Sequence, residues 1–140
     1  MKYVCDAPRR QTWFRIETLV EAERESALMD HKVAKHFQRA WEQADRAFKP
    51  ASERYIEQDI GRAAHAQRTM PLFLTLRDHE GEGLVTAMLP PGGVDDGSFQ
   101  IIVVGRANAD PYPDHGEAIR VLGEHYGLTL DRERCYPYRR

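Results

Sequence analysis

Apolar residues recur at Met29, Val33, Phe37, Trp41, Ala44 and Phe48. Those steps of three and four are the repeat of one face of an α-helix. Arg24, Lys32, Lys35, Arg39, Glu42 and Arg46 fall largely elsewhere around the same wheel. Upstream, Thr18-Leu19-Val20-Glu21 has the form of a capping box, in which a hydroxyl and a carboxylate each satisfy a free helix N–H. Downstream, Pro50 stops the repeat. The pattern predicts one long helix over roughly 18–49, with a kink or break near 26–30. Residues 53–69 fit two readings. One is a helix capped by Ser52, carrying Tyr55, Ile56, Ile60, Ala63 and Ala64 and weakened by Gly61. The other is a strand over 54–58 followed by a shorter helix.

Elsewhere the pattern is that of strands. Tyr3, Val4, Trp13, Phe14 and Ile16 supply β-type residues to segments 2–5 and 12–17, with Asp6 to Gln11 as the hairpin loop between them. After Pro71, Leu72–Arg77 runs into a turn at Asp78–Gly83, and Leu84–Leu89 returns. A second connection follows at Pro90–Gly97. Phe99–Val104 is apolar on both faces, which predicts a central strand. The short links favour an antiparallel meander. A final helix is expected from Asp114, with Asp114 and Glu117 as a second capping box, Ile119, Leu122 and Tyr126 as its buried stripe, and Gly127 as its stop. Residues 128–130 could add one more strand. Strands and helices in the order β-β-α-(α)-β-β-β-α give an α+β fold of about five strands, mostly antiparallel, with helices packed on one face.

Composition changes this picture little. A chain of 140 residues, 41% hydrophobic and 30% charged, reads as a single globular domain over 1–140. Its net charge of −2 and pI near 6.3 give no general attraction to nucleic acid or anionic lipid. No apolar run approaches a membrane span and the first residues lack a signal-peptide core, so a soluble cytoplasmic protein is expected. Cys5 and Cys135 are then expected as thiols rather than as a disulfide.

Familiar reactive arrangements are absent from the sequence: no GxGxxG, no GxxxxGK[ST], no HExxH and no GxSxG. That argues against a bound cofactor or a metal. Two histidines of the long helix, His31 and His36, are five apart and diverge around it. The richest segment is Gly105–His115, where Arg106, Asn108, Asp110, Tyr112, Asp114 and His115 crowd into a loop stiffened by Pro111 and Pro113. There His115 with Asp114 could do acid–base work, and Arg106, Asn108, Asp110 and Tyr112 could hold an acidic small molecule. Helix capping explains Asp114 equally well. The Arg132, Arg134, Tyr136, Tyr138, Arg139 and Arg140 tail could touch a nucleic acid, but Asp131 and Glu133 dilute its charge. The bulky stripe of the long helix suits core packing, or else a face shared between two copies of the chain in a homodimer. The sequence thus points to a non-catalytic module that binds a ligand or a protein. A small enzyme working at residues 106–115 is the first alternative, and a nucleic-acid accessory protein the second.

Overall fold

A computed structural model of the chain describes residues 1–49, 55–135 and 137. The chain has an α+β fold. Strands β1 (Lys2–Ala7) and β2 (Gln11–Arg15) precede helices α1 (Leu19–Met29), α2 (Val33–Ala47) and α3 (Tyr55–Thr69). Strands β3 (Leu72–Arg77), β4 (Gly83–Leu89) and β5 (Ile102–Val104) then lead to helix α4 (Tyr112–Tyr126). The sheet is antiparallel throughout and runs β1-β2-β3-β4-β5, in chain order. The two connecting segments of few residues, β1–β2 and β3–β4, make hairpins. All three helices between β2 and β3 form one excursion. From Tyr55 on, α3 decides between the two readings in favour of a helix; residues 53 and 54, the Ser52 cap, the Pro50 stop and Tyr136, Tyr138, Arg139 and Arg140 lie outside the described residues.

Strand alternation sends side chains to two separate cores. Trp13, Leu72, Leu74, Leu76, Val85, Ala87, Leu89, Ile101 and Val103 face α4, where Ala118, Ile119 and Leu122 meet them. The buried indole of Trp13 donates to the Ala118 carbonyl at 2.9 Å and ties α4 to the sheet. Phe73 and Ile16 face the other way, against Ala22, Val33, Phe37, Ala44, Ala66 and Met70 of the α1–α3 layer. The helices therefore divide between both faces, rather than packing on one. Phe73 between Leu72 and Leu74 is the reason: a strand apolar at consecutive positions needs cover on each side.

The break expected near 26–30 in the 18–49 helix falls at Asp30, whose left-handed conformation (φ 52°) caps α1 and divides the segment into α1 and α2. The apolar repeat continues across the break, so Met29 and Val33 stay on one buried side. The third meander strand is short and lies at the sheet edge, β3 being central. Its two-sided apolarity has another origin, since Ile101 and Val103 meet the α4 core while Ile102 and Val104 face a cleft. Helix α4 begins at Tyr112 behind Pro111, without a side-chain cap. The Asp114–Glu117 capping box does not form: Asp110 Oδ1 accepts the Tyr112 N–H at 3.0 Å, and Glu117 pairs with Arg120 one turn on. Residues 128–130 form no strand; the Leu128 N–H closes the end of α4 on the Gly123 carbonyl at 2.7 Å.

Candidate functional site: a cleft beside the α1–α2 break

In register, Thr86 pairs with Val104 and Met88 with Ile102. All four side chains point to the α1–α3 face of the sheet. Helix α1 packs over β4, and among the described residues no helix packs comparably over β5 beyond it. The result is a cleft of about 630 Å³, floored by Thr86, Met88, Ile102 and Val104 and walled by Asp30–Val33 and His36. Asn108 and Pro137 close its remaining side. Asn108 sits there with φ 60° and its neighbour Ala107 with φ 54°, a left-handed pair that is disfavoured for residues with a side chain.

Behind the cleft wall lies a polar chain reaching to the sheet interior. Glu25, fully buried on α1, accepts from Arg77 Nη2 at 2.6 Å through one oxygen and from Thr86 Oγ1 at 2.5 Å through the other. Arg77 also donates to Thr75 Oγ1 at 3.0 Å and to the Gly81 carbonyl at 3.1 Å. A carboxylate paired with arginine is acceptor-only, so the single Thr86 hydroxyl proton goes to Glu25. Thr86 Oγ1, 2.8 Å from His31 Nε2, must then accept, and His31 carries its proton on Nε2. Its Nδ1 is left as an acceptor, and the Val33 N–H points at it from 3.4 Å. The next amide of α2, Ala34, donates to Ser26 Oγ at 2.9 Å. The break is thus held by two neutral acceptors from α1 and its junction. Burial pushes the His31 imidazole below its ordinary value against the opposing pull of Glu25. His36 is lowered by burial and by its neighbours Arg39 and Lys35.

The 106–115 segment sends its side chains to several different neighbours. Asn108 alone of the six reaches the cleft. Arg106 is exposed and faces Glu82 at 3.9 Å. Asp110 pairs with Arg132 at 2.8 Å, and Tyr112 donates to the Leu130 carbonyl at 2.9 Å, its phenol pushed up chiefly by burial. The Asp114 carbonyl accepts from Arg9 of the β1–β2 turn at 2.5 Å. His115 is half-buried with Nδ1 enclosed and no partner among the described residues. Burial lowers its imidazole, Asp114 opposing and Arg9 assisting. No hydrogen bond joins His115 to Asp114 among the described residues, and His115 is not a lining residue of the cleft.

Glu25, His31, Thr86 and Arg77 were not legible as a group, since they come from α1, its C-terminal junction and two strands. One signal was present: Glu25 occupies the buried side of α1 with Ala22 and Met29, a carboxylate where the helix period asks for an apolar residue. Among the described residues no group of three or more His, Cys, Asp or Glu side chains is placed to hold a metal, and no helix is long and apolar enough to cross a membrane. No protein-family model, curated protein or solved structure matches the chain.

Proposed function

We propose that the chain is a small-molecule-binding module whose site is the cleft between the α1–α2 break and the β4–β5 edge. The observation that carries this is the cleft's make-up: about 630 Å³ with an apolar floor and a few polar groups at its rim. Ligand sites have this size and this mixture. The wall is also preorganised, because the Arg77–Glu25–Thr86–His31 chain fixes the break that forms it. His31 has both ring nitrogens engaged, so it serves as a strut rather than as a general base, which favours binding over acid–base catalysis here.

A fragment library screened by methyl NMR tests the reading. Hits should shift Met88, Ile102, Val104 and Val33 together. Ile102→Trp should abolish those hits by filling the cleft, with little loss of stability because Ile102 is partly exposed on an edge strand. Hits that cluster elsewhere, or that survive in the tryptophan variant, would overturn the assignment.

A further inference from the structure

Lys32, Lys35, His36 and Arg39 lie at i, i+3, i+4 and i+7, which places them in one stripe along α2. Lys32 and His36 line the cleft, and Lys35 and Arg39 stand close enough to depress the His36 imidazole. Between Asp30 and Glu42 the sequence has no acidic residue, and the first turn of α2 has none.

This arrangement runs against helix electrostatics. A helix N-terminus carries partial positive charge and is stabilised by carboxylates, whereas cations there are unfavourable. Here Lys32 is the N-cap residue and offers no side-chain cap. The two leading amides are met by neutral acceptors, Ser26 Oγ and His31 Nδ1, instead of by a carboxylate. Neither Lys32 nor Lys35 has an ion-pair partner among the described residues. The positive end of α2 and Lys32 therefore stand at the cleft, Lys35 and Arg39 continue the same stripe of the helix, and Asp30 is the acidic residue lining the cleft beside them. Directly below lie the apolar Val33, Met88, Ile102 and Val104.

We infer that the cleft takes an amphipathic anion, an alkyl or aryl body seated on Val33, Met88, Ile102 and Val104 with its anionic head against the Lys32–Lys35–Arg39 lip. This rests on the cleft being a binding site and adds the chemistry of its occupant. Apolar burial supplies the affinity, and the basic lip selects the sign of the head group.

The test compares probes of one chain length: decanoate, decanol and decylamine, each below its aggregation limit, followed by methyl NMR and calorimetry on the full chain. Decanoate should shift the Met88, Ile102 and Val104 methyls and bind about tenfold more tightly than decanol, the size of one well-placed charge interaction. Decylamine should bind most weakly. In K32A/K35A/R39A that preference should vanish while decanol binding persists; all three side chains are exposed, so the fold is not at stake. Equal binding of decanoate and decanol at the cleft would overturn the anionic head and leave the binding site standing. Failure of all three to shift the cleft methyls would overturn both. A preference unchanged in the triple variant would overturn the assignment of the lip.

Discussion

Thr86 is the residue on which the buried network turns, because its one hydroxyl serves Glu25 and His31 together. Thr86→Val keeps the shape and removes both contacts, leaving a buried carboxylate oxygen and an imidazole N–H without partners. The expected loss is about 2 kcal/mol in urea denaturation; a loss under about 0.5 kcal/mol would show that the chain does not stabilise the fold. Protonation state matters at the same place. The network needs His31 neutral, since a proton on Nδ1 would face the Val33 N–H. A histidine with a depressed folded value binds more protons when unfolded, so its stabilisation is present above about pH 6.5 and is lost as pH falls through the lowered folded value. His36 and His115 are shifted the same way and add to the slope. Denaturation midpoints should fall between pH 7.5 and 5.5, and His31→Gln, which retains a donor to Thr86, should reduce that fall; an equal slope in the variant would remove His31 from the account. None of this could be read from spacing, because Glu25 and Thr86 are 61 residues apart and only Glu25's misfit on an apolar helix side hinted at a partner.

At the scale of elements, the β1–β2 turn stores strain. Arg9 and Arg10 both have positive φ, 60° and 61°, as the primed hairpin turns require, and such turns favour Asn-Gly. Arg9 is partly compensated by its bond to the Asp114 carbonyl, whereas the Arg10 side chain makes no hydrogen bond or ion pair among the described residues. Arg10→Gly should therefore stabilise by about 1 kcal/mol, raising Tm by about 3 °C; a lower Tm would mean the arginine makes a stabilising contact that outweighs its backbone strain. Elements with strong periodicity were legible: the Thr18–Glu21 capping box forms as written, with the Glu21 N–H on Thr18 Oγ1 at 3.2 Å. The break expected near 26–30 falls at Asp30-His31-Lys32, although that stretch contains neither glycine nor proline and the apolar steps run through it. The Asp114 box does not form because the helix starts earlier, behind Pro111, with the Tyr112 N–H donating to Asp110 Oδ1, and spacing alone does not resolve where such a helix begins.

For the whole molecule, the antiparallel sheet and element order follow from short links and alternation, while the two-sided cover is signalled by the unbroken Leu72-Phe73-Leu74 run, a weaker mark than the amphipathic helices. The polar loop that attracts attention in sequence is held by local contacts: Asp110 and Tyr112 reach Arg132 and the Leu130 carbonyl, and the Asp114 carbonyl accepts from Arg9 of the β1–β2 turn. The cleft instead arises from what α1 and α2 leave uncovered, which is a property of layers.

The chain leaves the sheet after Arg15 and rejoins it at Leu72, and the Ile16 N–H meets the Phe73 carbonyl at 2.8 Å, so the excursion through α1–α3 is cinched at its neck. A structure closed in this way can lift its helical canopy without unzipping any strand, because the β2–β3 ladder from Thr12–Arg77 to Arg15–Leu74 lies beyond the cinch. Amide hydrogen exchange should consequently proceed on two clocks, faster for α1 and α2 than for β2, β3 and β4. An occupant bridging α2 and β4 would slow the first clock and leave the second untouched; a single exchange rate across both tiers would mean that canopy and sheet open only together.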